Sequence, residues 1–177
     1  MIETERLLLR RFTPSDFEVM YALWTDGEAM RYVQPEGWPH GVERSRELFG
    51  RSISFFDEHG FGLFAVVPKD EGRVIGYCGL KFLEGPGEVE LLYGVFKQFW
   101  NRGLVTEAAR AALRYGFEAA GLEQIVAVAF PANVGSWRVM EKCGMRREGT
   151  TTHKGYRVVR YSITRDAFDR GEEEYRL

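Results

Sequence analysis

The chain has 177 residues, of which 45% are hydrophobic and 28% are charged, and its formal net charge is -2. These values predict one globular domain, residues 1–177, that is large enough to bury a core. The nearly balanced charge argues against wholesale binding to nucleic acid or to a membrane surface.

The cysteines and histidines predict neither a disulfide framework nor a metal site. Cys78 and Cys143 lie in apolar stretches far apart in the sequence, a pattern typical of a reducing compartment. His40, His59 and His153 form no paired metal-ligand motif. The N-terminal segment carries charges where a secretion signal needs apolar residues. We therefore expect a cytoplasmic protein that binds no metal.

The first third of the chain is predicted to form one strand and two helices. The strand covers Arg6 to Phe12, and Thr13 to Asp16 then supplies capping side chains for a helix that runs to about Thr25. A second helix is predicted from about Val42 to His59, with Gly60 ending it.

The remaining two thirds alternate strands with two further helices. Turn signals at PKDEGR and EGPGE separate three successive strands, and later strands flank the helices. The predicted strands are Phe61–Val67, Val74–Phe82, Val89–Phe96, Gln124–Phe130, Arg146–Thr151 and Tyr156–Ile163, and the predicted helices are Val105–Ala120 and Asn133–Gly144. The fold class is thus α/β (α+β), a mixed sheet of six or seven strands with about four helices in one domain.

Two strands each deliver the start of a helix. The first helix follows the polar turn that contains Gly103, and the second follows Asn133, a good N-cap, with Ser136 three residues later. The first turn of a helix carries unpaired N–H groups and a partial positive charge, which suit a phosphate-bearing ligand. In an open sheet both helix starts would face one crevice at the strand ends. Taken singly, each start is also compatible with an ordinary turn or cap.

Two long segments carry a family resemblance. The run FWNRGLVTEAARAALRYGFEAAGLEQIVAVAFPANVGSWRVMEKCGMRREG resembles the acetyl-coenzyme-A-binding core of the GCN5-related N-acetyltransferase (GNAT) superfamily. The opening ETERLLLRRFTPSDFE and the run PANVGSWRVMEKCGM resemble its branch typified by the Rim-type acetyltransferases of ribosomal-protein N-termini. The resemblance implies the GNAT fold and an acetyl-CoA-dependent N-acetyltransferase that acts on a primary amine.

The resemblance also implies which residues bind the cofactor. The family's phosphate motif, [QR]xxGx[GA], falls on Trp100 to Val105; Gly103 matches, whereas Trp100 and Val105 depart from the first and last positions. Asn133 would hydrogen-bond the pantetheine amide, and the strand at Gly94 would bind the same arm through its backbone. The implied cofactor-binding residues are Gly94, Val95, Phe96, Asn101, Arg102, Gly103, Leu104, Val105, Thr106, Asn133 and Ser136.

The implied reaction is direct attack of the amine on the acetyl carbon, with no enzyme nucleophile. Ser136 would lie near the sulfur and stabilise or protonate the leaving thiolate. Glu88 and Glu90 alternate on a predicted strand and should share one face, so either could accept the amine proton. His153, between the last two strands, is a third candidate base. All three are equally compatible with solvent-facing roles.

The acceptor pocket should come from the first two helices and their connection. Its aromatic and sulfur-containing candidates are equally compatible with an ordinary core: Trp24, Met30, Tyr32 and Trp38. The acceptor could be a protein N-terminus, an amino acid, a polyamine or an aminoglycoside-like amine.

Two other functions fit the same sequence. One is a non-catalytic sensor or interaction domain that binds acyl-CoA. The other is an acyltransferase with a different acyl donor or a hydroxyl acceptor. For the acetyltransferase, the predicted partners are acetyl-CoA and an amine substrate, either a small molecule or a protein N-terminus, with no nucleic acid and no membrane; a homodimer is also possible.

Overall fold

The structure, a computed structural model, describes residues 1–32, 40–83, 87–171 and 175–176. Its strands are β1 (Ile2–Glu3), β2 (Leu7–Arg11), β3 (Leu63–Pro68), β4 (Gly76–Phe82), β5 (Val89–Val95), β6 (Gln124–Ala129), β7 (Arg146–His153) and β8 (Tyr156–Thr164). Its α-helices are α1 (Phe17–Thr25), α2 (Val42–His59), α3 (Leu104–Glu118) and α4 (Val134–Lys142). The strands form one sheet in the order β1-β2-β3-β4-β5-β6-β8-β7, in which β5 and β6 are the parallel pair.

The sheet separates two apolar clusters because successive strand residues point to opposite faces. On β3, Phe64 and Val66 belong to one cluster, and Ala65 and Val67 belong to the other. The first cluster contains the buried face of α3, with Ala109, Leu113 and Phe117 among its members. The second contains the buried residues of α1 and the Phe49 side chain of α2.

Hydrogen bonds at the helix ends follow the capping signals in the sequence. Before α1, the Asp16 carboxylate accepts the Thr13 N–H at 2.8 Å and the Arg10 guanidinium at 2.7 and 2.8 Å. After α4, the Met145 N–H bonds the Met140 carbonyl at 3.0 Å, and the Gly144 N–H bonds the Glu141 carbonyl at 2.9 Å. That pair of bonds is a Schellman motif, which fixes where β7 begins.

The predicted mixed sheet with four α-helices is confirmed, but the strand count of six or seven was too low. The sheet has eight strands because the two-residue strand Ile2–Glu3 pairs with Leu8 and Leu9. Two residues are too few for an alternating pattern to reveal a strand. Among the described residues, no helix has the length and apolar character needed to cross a membrane.

Candidate active site

The candidate site begins where the two parallel strands separate. Within the described chain, β5 and β6 pair in register at Glu90 and Val126 alone. On its other side, β6 is paired with β8 along its whole length, from Gln124 to Ala129. The half of β5 from Leu91 to Val95 therefore has an open edge toward β6, and backbone hydrogen-bonding groups there are available to a ligand.

A cavity of about 670 Å³ occupies this opening. It extends from the turn before α3, past the N-terminus of α4, to the ends of β7 and β8. Among the residues that line it are these site residues predicted from the sequence: Tyr32, Glu90, Gly94, Val95, Asn101, Gly103, Val105, Thr106, Asn133, Ser136 and His153. One groove thus brings together residues from both helix starts and from the open strand edge.

The turn before α3 and the first turn of that helix line one end of the cavity. Asn101 and Gly103 have positive φ values of 58° and 78°, a left-handed conformation that glycine adopts without the steric penalty of a Cβ. The helix begins at Leu104, so the N–H groups of Leu104, Val105 and Thr106 have no acceptor within the helix. Their partial positive charge favours an anion at this end of the cavity.

An ion-pair network holds this turn from behind. The Glu107 carboxylate accepts the Arg6 backbone N–H at 2.8 Å, the Arg6 Nε at 2.7 Å and the Thr4 hydroxyl at 2.6 Å. Arg6 also donates from Nη1 to the Arg102 carbonyl at 2.9 Å. These bonds tie the start of β2 to the first turn of α3. Sequence reasoning missed the network because its partners lie about a hundred residues apart.

The charges that line the cavity are mostly positive. The described part of its lining contains one carboxylate, that of Glu90, and four lysine or arginine side chains: Lys81, Arg138, Lys142 and Lys154. Arg138 and Lys142 lie on α4. Such a field suits a polyanionic ligand.

The N-terminus of α4 places two hydroxyl groups together. The Asn133 Oδ1 accepts the Ser136 N–H at 3.3 Å, which makes Asn133 the N-cap. The Tyr93 hydroxyl of β5 donates to the Ser136 carbonyl at 2.8 Å and lies 3.2 Å from the Ser136 Oγ. Burial raises the pKa of Tyr93 far above its ordinary value, so the phenol stays protonated. Nothing in the local pattern of β5 distinguishes Tyr93 from a core residue.

Glu90 is a buried carboxylate at the point where the strands separate. It is 7% exposed, and its Oε1 lies 3.3 Å from the Lys81 Nζ. Burial raises the pKa of the Glu90 carboxyl, an effect that Lys81 and the nearby His153 and Lys154 partly oppose. A carboxylate with a raised pKa is a stronger base than an exposed one.

The other two candidate bases lie in different surroundings. Glu88 precedes β5 and forms a two-pronged ion pair with Arg160, which also binds Glu148. It is absent from the described cavity lining, whereas Glu90 contributes to it. His153 ends β7 and lines the cavity.

Three predicted binding residues are not among the described residues that line the cavity. Leu104 is 3% exposed, and the Arg102 guanidinium lies over the Phe99 ring. Phe96 packs against both apolar clusters. Arg102, Leu104 and Phe96 are the three, whereas Asn101, Gly103, Val105 and Thr106 of the same segment line the cavity.

Of the described residues predicted to bind the acceptor, one lines the cavity and two do not. Tyr32 lines the cavity, and the neighbouring Ala29 does so too. Met30 is 3% exposed, and the Trp24 ring packs at 5.9 Å from that of Phe49. Met30 is thus buried, and Trp24 is a partly buried residue packed against the second apolar cluster. Trp38 lies outside the described residues.

Comparison with known proteins gives a consistent relationship. The profile of the family described as "Acetyltransferase (GNAT) domain" matches residues 6–146. The uncharacterized N-acetyltransferase YnaD of Bacillus subtilis (strain 168) is 34% identical over 151 residues, 84% of each chain.

Solved structures share the fold. A GNAT-family acetyltransferase from Bacillus anthracis superposes with a TM-score of 0.79 at 31% identity, covering 93% of this chain and 98% of its own. AAC(6')-Ib in complex with ribostamycin and coenzyme A superposes with a TM-score of 0.81, covering 95% and 98%, and its 21% identity shows the fold alone. The family match and the relationship to YnaD confirm the resemblance found in the sequence: this protein is an acyltransferase that belongs to the GNAT family.

Proposed function

We propose that the protein transfers an acetyl group from acetyl-CoA to a primary amine. One observation carries the proposal: a single groove connects a helix N-terminus and cationic side chains to Ser136 and the buried Glu90. The structural neighbour AAC(6')-Ib, solved with coenzyme A, supports the choice of donor.

The successive parts of acetyl-CoA would bind to successive parts of the cavity. The N–H groups of Leu104, Val105 and Thr106 would bind the diphosphate, aided by the charges of Arg138 and Lys142. The open backbone edge of β5 between Leu91 and Val95 would hydrogen-bond the pantetheine arm as a neighbouring strand would. Val105 lines the cavity in the first turn of α3.

Glu90 is the base that the arrangement favours. A primary amine must lose a proton as its nitrogen bonds to the acetyl carbon, and the Glu90 carboxylate would accept that proton directly or through water. Lys81 holds the carboxylate in place at 3.3 Å. His153 lies on the same cavity wall and can pass the proton toward solvent.

Ser136 is positioned to assist the leaving group. As the new C–N bond forms, the C–S bond breaks and negative charge develops on sulfur. The single hydrogen of the Tyr93 hydroxyl goes to the Ser136 carbonyl, so the Ser136 hydroxyl hydrogen is the one that can turn toward the sulfur. Proximity within one groove supplies the remainder of the rate enhancement.

A thiol-release assay with acetyl-CoA tests this function across a panel of amines. The panel contains free amino acids, peptides with different N-termini, polyamines and aminoglycosides. We expect turnover with at least one class. Binding of coenzyme A without turnover on any amine would instead support an acyl-CoA sensor, and turnover on alcohols alone would indicate an O-acyltransferase.

A further inference from the structure

Tyr77, on β4, is a buried tyrosine to which the proposed reaction assigns no role. It is 5% exposed and lines the cavity. Within the described chain, no residue forms a hydrogen bond with its hydroxyl group. Its oxygen is not among the described side-chain atoms that are both fully buried and without a partner, so it is accessible from the cavity and can meet a ligand there.

The Tyr77 side chain lies across β5 at Gly94. The two residues face each other in the β4–β5 register. A Cβ built on Gly94 would lie 2.8 Å from Cε1 and 2.9 Å from Cζ and Oη of the Tyr77 ring. Any larger residue at position 94 would therefore displace the ring. The glycine provides a notch through which the phenol passes over β5 to the cavity.

The chemistry of this hydroxyl suits a neutral polar ligand. Burial raises the pKa of Tyr77 far above its ordinary value, and the charge of Glu90 adds to the effect. The phenol therefore stays protonated, and it can donate one hydrogen bond and accept another.

The position of Gly94 along β5 indicates which part of the ligand the Tyr77 hydroxyl would contact. Gly94 lies four residues beyond Glu90, which is about 13 Å along a strand. It therefore lies between the end where Glu90 would accept a proton and the turn where phosphates would bind. In the proposed donor, the segment that spans this distance is the pantetheine arm with its two amides.

We propose that the Tyr77 hydroxyl hydrogen-bonds a pantetheine amide through the notch at Gly94. The inference rests on the proposed function, since it needs coenzyme A in this groove. It assigns a side-chain contact to the arm, which the open edge of β5 would otherwise bind through its backbone.

Calorimetric titration of Tyr77→Phe with two probes tests this contact. Coenzyme A contains the arm, whereas adenosine 3′,5′-bisphosphate contains the nucleotide alone. Loss of one neutral hydrogen bond should weaken coenzyme A binding about three- to tenfold and leave the bisphosphate affinity unchanged. The melting temperature of the ligand-free variant should stay nearly the same, because the substitution breaks no hydrogen bond between described residues.

Tyr115→Phe is the matched control. Its hydroxyl donates to the Gly60 carbonyl at 2.7 Å, and the residue is not among those that line the cavity. This variant should bind both probes as the unmodified protein does.

The other possible outcomes distinguish a failure of the Tyr77 contact from a failure of the proposed function. Unchanged coenzyme A affinity in Tyr77→Phe would overturn the contact while leaving the proposed function intact. A lower melting temperature of the ligand-free variant, or equal weakening of both probes, would show a structural role and overturn it too. An effect on the KM of the amine alone would place the hydroxyl on the acceptor and also overturn it. If the unmodified protein binds no coenzyme A, the proposed function fails as well.

Discussion

The Tyr93 hydroxyl donates to the Ser136 carbonyl at 2.8 Å and lies 3.2 Å from the Ser136 Oγ, so it links β5 to α4 across the groove. The contact between the two oxygens is longer than the 2.7–2.8 Å typical of such a hydrogen bond, whereas the bond to the carbonyl is of ordinary length. The serine hydroxyl is thus held in place while its own hydrogen is free to change partner.

Ser136→Ala should lower kcat by about a hundredfold and leave the KM for acetyl-CoA nearly unchanged. The reason is that the hydroxyl acts on charge that develops only as the thiolate leaves. Tyr93→Phe should have a smaller effect because it removes the anchor and not the donor. Steady-state kinetics of both variants and of the double variant measure this. A double variant as active as Tyr93→Phe would contradict the assignment.

Glu90→Gln should lower kcat/KM by about a hundredfold or more, because it removes the proposed base. The unmodified enzyme should lose activity in acid as Glu90 becomes protonated, with a midpoint above the ordinary range of a glutamate. The pH–rate profile of the variant should lack that acidic limb. Glu88→Gln is the control, and its profile should match the unmodified enzyme because Glu88 lies outside the described lining.

Glu90→Gln should also stabilise the ligand-free protein at neutral pH. Burial raises the folded-state pKa of Glu90, so the folded protein binds this proton more tightly than the unfolded chain does. Its contribution is therefore favourable in acid and is lost as the pH rises through the folded pKa. Melting temperatures should differ most at pH 7 and converge toward pH 4. A constant difference would show that titration of Glu90 is not the cause.

Thr106→Glu should weaken coenzyme A binding at least about tenfold. Thr106 lines the cavity in the first turn of α3, where a glutamate suits the helix but would repel a diphosphate. Thr106→Gln has nearly the same shape without the charge and should bind almost normally. Titrations at two ionic strengths measure the difference, which salt should reduce. Equal affinity of the two variants would remove the diphosphate from this turn.

Glu107→Gln should lower the free energy of unfolding by about 1–3 kcal/mol, since charged hydrogen bonds to Thr4 and Arg6 are weakened. It should also weaken coenzyme A binding, because the network holds the phosphate turn. Urea denaturation and titration measure the two effects. Glu118→Gln, at the other end of α3, controls for loss of a carboxylate that pairs with arginines, here Arg114 and Arg170, away from the phosphate turn. A stable variant with normal affinity would show that the turn keeps its shape unaided.

The sequence predicted the local parts of the site and missed those that depend on distant pairing. The turn at Gly103 and the cap at Asn133 follow from residue types within a few positions, and the structure brings both to one groove. Tyr77 and Tyr93 resemble core residues of a strand, because only the β4–β5 register and the approach of α4 reveal their surroundings.

Sequence alone also did not show which of the two carboxylates, Glu88 or Glu90, is buried. Glu88 and Glu90 alternate in sequence, but the strand begins at Val89, and each acid is paired with a residue of a different strand. Arg160 of β8 binds Glu88, whereas Lys81 of β4 holds Glu90. Which of the two is buried depended on those cross-strand partners, which the order of residues alone does not reveal.

The most direct test of the account is a product measurement with the most active amine of the panel. Coenzyme A thiol and N-acetylated amine are quantified in the same reaction, the second by mass spectrometry. We expect equal amounts of both products from the unmodified enzyme and a loss of both in Glu90→Gln. Release of thiol without acetylated amine, or equal rates in Glu90→Gln, would contradict it.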